Sequence, residues 1–587
     1  TPGKVVVDES LGAVSAAGMQ FATDGYRIEG DRLTLVGPTS AIRVGDGTAA
    51  GKGMTATIAS ELSGSPELVK EDAGILVLTG SNSYNGGTRI TGGTLRIASD
   101  GNLGAAAGGV ILDGGTLNTR ADIATDRAFT LEGGGALSTD LGTRLTVDGS
   151  LTGDGNLFKT GAGTLLFAGD ATYTGVTILE AGTLKAGAAD MFSAGSAHTV
   201  LQAGTLHLSG FDQTVASLDN AGAVVMGGAP GTRLSVAGDY KGSGGTIHFN
   251  TALGEDASET DRLVIGGATS GSTNLKVVNA GGRGAPTREG IKLVDIEGAS
   301  EGTFSLVGDY LYNGEQAVVS GAYAYRLFKN GVSTPTDGDW YLRSALAGDP
   351  TNPQYQPGVP LYEVYPQSLQ SFNSLGTLRE RVGNRSWADE GGQASAGYGL
   401  SQSGALGNGD VDLSGNWARI EAAHGALSPE ITTAGADYTL STWKIQGGAD
   451  RLVHQDGNGK LVAGISLHAG SISTDIESVH GAGTINTIGY GLMGTLTWYG
   501  ESGFYIDGQG RASWFNSDIN STTANRELAQ DNAAFGYAVS IEGGKRMAIG
   551  DNWSLTPQVQ LAYSSVDFNA FTDAFGSTVS LDRSDSL

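Results

Sequence analysis

Gly298-Ala299-Ser300-Glu301-Gly302 has the G-x-S-x-G spacing of a nucleophile elbow. That device turns a buried strand sharply into a helix and lifts the serine hydroxyl toward a histidine and an acid. Here the motif runs into TFSLVG, which reads as strand, so it is read as a structural turn. The stretch from Gly45 to Gly51-Lys52-Gly53 approaches a phosphate loop, but the spacing is one residue too long. Gly53 also stands where a Ser or Thr would meet magnesium. The glycine pairs Gly153/Gly155 and Gly161/Gly163 belong to repeated turns. The seven histidines are scattered, with no H-E-x-x-H. Asp-rich turns such as Thr336–Asp339 lack the spacing of a calcium loop. The sequence therefore assigns no catalytic residue, no cofactor and no metal site.

Composition narrows the classes that remain. Cysteine is absent, which excludes disulfide scaffolds and thiolate metal sites. The formal net charge of −26 disfavours a nucleic-acid partner, whose phosphates need Lys and Arg, and suits a soluble extracellular surface. At 587 residues the chain is too long for one core. Ninety-six glycines with only 13 prolines and no Gly-X-Y period suit many tight turns between short strands. No run of 18 apolar residues is present, so no transmembrane helix is expected. No signal peptide opens the chain, and the pattern at Thr1 is already in progress, so the N-terminus is expected to be cut.

The elements carry a repeat. Lys70–Ile97 and Lys159–Ala186 align without a gap at an offset of 89 residues. Lys70, Gly74, Leu76, Gly80, Tyr84, Gly86, Thr88, Gly93, Thr94 and Leu95 all recur in register. Inside each unit Gly-x-Leu returns after 19 and then 22 residues, starting at Gly74, Gly93 and Gly115 and at Gly163, Gly182 and Gly204. A period near 20 made of short Thr/Val/Leu/Ile runs predicts a solenoid of β rungs, each pairing the open edges of the last. The pattern filled by residues 161–184 resembles the passenger-associated repeat of autotransporters, the self-exporting proteins of type V secretion. The resemblance implies a right-handed parallel β-helix passenger over 1–250, with the repeats at 70–118 and 159–207.

Residues 251–345 change character. GTFSLVGDYLYNGEQAVVSGAYAYRLFKNG and the later DWYLRS resemble the pertactin-type C-terminal end of a passenger, an autochaperone region. Tyr310, Tyr312, Tyr323, Tyr325, Phe328, Trp340 and Tyr341 are expected to cover the last rung's open edge. Residues 346–360 carry four prolines and read as a linker unable to join a sheet. Over 361–387, Leu369, Phe372, Leu375, Leu378 and Val382 recur every three or four residues, which predicts a helix after Pro366. Gln367, Gln370, Asn373, Arg379, Glu380 and Arg381 lie between them. Such a helix, about 30 Å over about 20 residues, spans one bilayer core but is too polar to face lipid. It is either amphipathic on a soluble domain or enclosed in a wet pore. SLGTLRERVG resembles the autotransporter linker helix, which implies the pore.

After a Gly/Ser-rich connection at 388–416, residues 417–587 alternate. Phe504, Ile506, Gly508, Gly510, Ala512 and Trp514 share one face, and Tyr505, Asp507, Gln509, Arg511 and Ser513 the other. Arg419 and Glu421 share a face, while Trp443 and Ile445 oppose Lys444 and Gln446. Long strands with aromatic ends, and with charge on one face only, predict an outward apolar surface and a hydrated lumen receiving Arg419, Glu421, Asp507, Gln509 and Arg511. WARIEAAHG and the order of strands resemble the autotransporter translocator domain, which implies a 12-stranded antiparallel transmembrane barrel. About eight strands are counted here, so the C-terminus too is expected to be cut.

The resemblance implies an outer-membrane protein that carries its own passenger to the cell surface, where the passenger stays or is released. The implied partners are outer-membrane lipid, the barrel-assembly machinery and periplasmic chaperones. A host surface or matrix ligand would make the passenger an adhesin. Two alternatives stay open: a catalytic domain lying upstream, and a soluble secreted solenoid without a barrel.

Overall fold

The structure, a computed structural model, describes residues 3–346, 348–382, 414–550 and 553–587. The chain forms two compact units. One comprises Thr1–Gly308, Gln316–Val318 and Tyr325–Pro353, and the other Asp309–Glu315, Val319–Ala324 and Gln354–Leu587.

The first unit is a parallel β-solenoid. Its strands are short because each inward Leu, Ile or Val is soon followed by a turn. Leu76, Leu95, Leu117, Leu137, Lys159, Leu179 and Val200 are register partners on successive rungs. All seven are fully buried. Each aliphatic member stabilises the stack by about 1.5–3 kcal/mol.

The 89-residue repeat does not stack on itself. Lys70 belongs to another column, Ile42, Lys70, Ile90, Leu112, Leu131 and Gly153. Four rungs therefore carry Lys70 to Gly153, six residues short of Lys159. The second copy thus lies on a different face of the solenoid. What repeats is the local turn. Gly93 and Gly182 sit at φ 60° and 72°. A Cβ on either would come within 2.4 Å of the carbonyl oxygen of Gly74 or Gly163. Tyr84 with Thr88, and Tyr173 with Thr177, form matching buried hydroxyl pairs.

Residue 250 is not a structural boundary. Tyr240–Thr251, Thr269–Asn279 and Thr303–Val307 continue the same parallel ladder. The inward alternation Ile247/Phe249, Leu275/Val277 and Phe304/Leu306 continues with it. The change of composition lies in longer loops between rungs. A parallel column on another face ends where Ile291–Ile296 takes an antiparallel partner, Trp340–Arg343, which pairs in turn with residues 326–329. Trp340 meets Phe304 edge-on at 5.4 Å. Tyr325 is fully buried and accepts the amide of Ala285 at 2.8 Å. Of the aromatic residues expected at the last rung, Tyr325, Phe328, Trp340 and Tyr341 lie in this unit, and Tyr310, Tyr312 and Tyr323 in the other.

The expectation that residues 346–360 cannot join a sheet is corrected. Ala345–Leu346 and Asp349–Pro353 pair antiparallel. A two-stranded ribbon consists of edges, so a proline can sit where no ladder donor is needed.

His198 lies inside the solenoid beside the Phe192 ring, with Nδ1 3.1 Å from the carbonyl of Ser196. Burial pushes its pKa down from the ordinary histidine value to about 4. The unfolded chain takes up this proton first, so the stability is present above about pH 6.5 and is lost as pH falls toward 4, by roughly 3 kcal/mol. Thermal melts between pH 7 and 4 should show this loss, and His198→Phe should flatten it. An unchanged profile in that variant would refute the assignment.

The second unit is an antiparallel sheet in chain order. Its strands are Gly415–Leu427, Asp437–Asp456, Gly459–Glu477, Gly483–Gly500, Phe504–Ser521, Arg526–Lys545, Gln558–Phe568 and Ser584–Ser586. Among the described residues no ladder joins the first strand to the last. Helix α1, Val359–Asn373, touches strands from Asp437–Asp456 round to Ser584–Ser586, so the sheet curls about it. Among the described residues no helix is long and apolar enough to cross a membrane, which says nothing of strands.

Candidate functional site

The site is the inner face of this sheet together with the segment lying on it. Outward positions carry exposed Ile420, Trp443, Ile445, Ile488, Tyr490, Leu492, Leu496, Ile506, Trp514, Val559 and Leu561. Inward positions carry Lys444, Gln446, Asp507, Gln509, Arg511, Ser513 and Glu542, all buried. Strand alternation puts lipid-compatible side chains on one surface and polar ones on the other.

The helix expected over 361–387 is revised. It begins at Val359, carries Pro366 inside it and ends at Asn373. A proline there forfeits one helical hydrogen bond. The buried cluster of Leu361, Tyr362, Val364, Tyr365, Leu369 and Phe372 against Ile472, Ile485, Phe515 and Ile519 holds the helix regardless. Ser374 turns extended, and a second helix, α2, runs Leu378–Val382. Residues 383–387 and most of the expected connection at 388–416 lie outside the described residues. Leu369, Phe372, Leu378 and Val382 are buried. Leu375 falls in the break, half-buried, in neither helix. A capping box makes the break: the Thr377 amide donates to Glu380 Oε2 at 2.8 Å, and the Glu380 amide donates to Thr377 Oγ1 at 3.3 Å. That T-x-x-E signal is in the sequence and marks the second helix start.

The inner-face charges close on this break. Arg511 Nη1 donates to the carbonyls of Phe372 and Ser374 at 3.3 and 2.7 Å, a cation on the orphan carbonyls of a helix end. Gln509 and Gln560 both donate to the Gly376 carbonyl, at 2.9 and 3.2 Å. Glu542 Oε2 accepts the Leu378 amide at 2.8 Å. Arg381 pairs with Asp507 at 2.5 Å and donates to Thr497 Oγ1 at 3.1 Å. Arg419 donates to the Glu380 carbonyl at 3.0 Å and pairs with Glu421, which also binds Lys444. The expected lumen residues Arg419, Glu421, Asp507, Gln509 and Arg511 thus converge on one region. Arg419, Asp507, Gln509 and Arg511 are engaged by the chain's own segment, where the sequence led us to expect a hydrated lumen, while Glu421 pairs with Arg419 and Lys444 on the sheet itself. Glycines on the wall make the space: a Cβ at Gly489 would stand 2.9 Å from the Phe372 ring, and one at Gly470 3.0 Å. Glu542 was not foreseen, whereas the alternation through residues 555–563 already sets Gln560 opposite Val559 and Leu561. The inward register of Glu542, one residue from outward Ile541, was the available signal.

The apparent elbow is a rung turn. Ser300 pairs as an isolated parallel bridge with Thr269 and donates its hydroxyl to the Gly338 carbonyl at 2.8 Å. Among the described residues no group of three His, Cys, Asp or Glu side chains could hold a metal.

Three family models match this chain. Residues 416–587 match the autotransporter beta-domain, 214–327 the autochaperone domain type 1, and 68–97 and 157–186 the passenger-associated-transport-repeat. The chain belongs to the autotransporter family. The adhesin BmaC autotransporter of Brucella suis biovar 1 is 48% identical over 98% of this chain and 17% of its own length. The autotransporter adhesin AIDA-I of Escherichia coli is 28% identical over 60% of this chain and 26% of its own. The β domain of the Bordetella autotransporter BrkA aligns over 29% of this chain and 65% of that one, at 22% identity and a TM-score of 0.23. The chain therefore spans only about a sixth to a quarter of these two adhesins. It joins an outer-membrane β-domain to a surface-exposed solenoid passenger, and the autotransporter's segment 359–382 lies on the inner face of that domain.

Proposed function

We propose that the β-domain carries the passenger across the outer membrane and then holds it there, with segment 359–382 as the anchor and seal. The convergence of Arg511, Gln509, Gln560, Glu542 and Asp507 on the backbone and side chains of residues 372–381 supports this reading. A polar wall lets an extended hydrophilic chain pass. The same wall grips a segment that offers unpaired helix-end carbonyls and a matching guanidinium. Export ends when that segment arrives. Folding of successive rungs outside makes the passage directional, since a folded rung cannot re-enter. Assembly of the barrel and delivery of the unfolded passenger fall to the barrel-assembly machinery and periplasmic chaperones. The displayed solenoid acts by binding, as an adhesin, rather than by catalysis. The adhesin relatives and the committed hydroxyl of Ser300 support that part.

The absence of native cysteine makes a clean test. Ser368 Oγ lies 2.9 Å from Thr474 Oγ1, between α1 and the wall. In cells that display the passenger, oxidation of a Ser368→Cys/Thr474→Cys variant should cross-link segment to barrel with the passenger still open to external protease. Full display with no cross-link would overturn the anchor.

A further inference from the structure

One face of the solenoid departs from the acidic character of the chain. Arg144, Thr164, Thr183, Thr205, Ala223, Thr246, Asn274 and Ser305 are register partners over eight rungs. Beside them on the same outward surface run Thr146, Leu166, Lys185, His207, Val225, His248, Lys276 and Val307. The intervening residues, among them Leu184, Leu206, Val224, Ile247 and Leu275, are the buried ones, so these two columns point outward. Neither column contains a carboxylate, although Asp and Glu outnumber Lys and Arg by 61 to 35 in the chain.

Among the described residues the cations of this face, Arg144, Lys185 and Lys276, carry no ion pair, a condition they share with Arg233 and Arg262 on another face. Elsewhere on the solenoid, Arg27, Arg32, Arg43, Arg89, Arg120 and Lys241 are each bridged to an Asp or Glu. His207 takes the Ser209 amide on Nδ1 at 3.0 Å, which leaves Nε2–H to donate outward. Burial and the adjacent lysine, Lys185 for His207 and Lys276 for His248, hold both imidazoles below the usual histidine range. The charge of each lysine is therefore felt by the imidazole beside it.

We propose that this face binds an extended anionic polysaccharide, with Lys185/His207 and His248/Lys276 as two cationic grips and the Thr/Asn column beside them as hydroxyl partners. From Lys185 to Lys276 is four rungs, about 19 Å at the strand spacing, which fits a linear chain laid along the stack. The two grips are separated by the neutral Val225 rung. Side-chain hydroxyls and amides suit a sugar's hydroxyls. The columns carry no Phe, Tyr or Trp on which bases would stack, and their apolar members stand singly, so a nucleic acid or a lipid surface is a poorer match. The chain's net negative charge does not forbid the contact. At physiological salt its field is screened beyond about 8 Å, and the stripe's own charges decide.

The inference rests on the passenger acting as a displayed binder and names the class of its ligand. The full chain in detergent, with heparin as the probe and fully desulfated, N-acetylated and carboxyl-reduced heparin as its uncharged counterpart, tests it without any export step. Heparin should bind, more weakly as salt rises, and the uncharged counterpart should not. Lys185→Gln/Lys276→Gln should weaken binding at least about ten-fold and lower the salt slope by about two. Both positions face outward, so the melting profile should stay native. Lys241→Gln, on another face and paired with Asp219, should leave binding unchanged. Native-like binding by the double variant, an equal loss in Lys241→Gln, or equal binding of the uncharged counterpart would each overturn the proposal. Failure of the barrel cross-link would bear on the anchor alone.

Discussion

Asp507→Ala should destabilise the C-terminal unit by about 3–5 kcal/mol, whereas Arg381→Met/Asp507→Leu should recover most of that loss. Arg381 and Asp507 are 3% and 0% exposed, so neither charge is eased by water. Removing one partner leaves a buried, uncompensated charge, and the desolvation that the pair had offset is then borne alone. Thr497 makes the site sharper, because it donates to Asp507 Oδ1 at 2.5 Å and accepts from Arg381. Replacing both ionic groups with apolar ones removes the imbalance. The signature is therefore a coupling of at least about 2 kcal/mol in the double-mutant cycle. Unfolding in detergent, followed by circular dichroism or by heat-dependent gel mobility, measures it. Arg381 lies on α2 and Asp507 on the strand Phe504–Ser521, so the coupling also reports whether the segment is seated. Additive, small effects would mean that the pair is solvated, and the anchor would lose its strongest contact.

The alternation at 504–514 was readable because side-chain period two survives whatever lies on either side of a sheet. Reading the inner face as wet was natural, since Asp507, Gln509 and Arg511 have no partner nearby in sequence. Their partners are Arg381, Gly376 and Ser374, more than 120 residues away. The helix was legible from its apolar spacing, but its limits were not. Pro366 reads as a start, yet the Leu361–Phe372 contacts carry the helix through it. Leu375 fits the spacing by accident, because the capping box at Thr377 has already opened a new helix. In the solenoid the rung length was plain from Gly-x-Leu. The face on which each copy falls was not, because 89 residues is not a whole number of turns, and only the accumulated register reveals the offset. The cationic stripe was hidden for the same reason. Its members stand 18 to 28 residues apart, among a majority of acidic residues.

That offset makes Lys70 and Lys159 a natural duplicate experiment. Lys70 Nζ donates to the carbonyls of Glu71, Asp72 and Gly92 at 2.8, 2.7 and 3.0 Å. Lys159 Nζ donates to those of Thr160, Gly161 and Ala181 at 2.8, 2.8 and 3.1 Å. Both side chains are fully buried, so each ammonium is an internal cap on a turn that would otherwise bury three bare carbonyls. Lys70→Met and Lys159→Met should each destabilise the passenger by about 2–4 kcal/mol, since each leaves acceptors unsatisfied. Burial also pushes both ammoniums down from the ordinary lysine value to about 8. The folded chain therefore holds fewer of these protons than the unfolded chain between about pH 8 and 10.5, and stability rises with pH across that window. Each Met variant should remove about half of the rise. The lysines stand about four rungs apart and share no partner, so the double variant should be close to additive. Equal losses on two different faces would show that the stability comes from the repeated turn itself. A loss confined to one lysine would place it in the surrounding rungs instead, and the 89-residue repeat would then be a repeat of sequence without a common energetic unit.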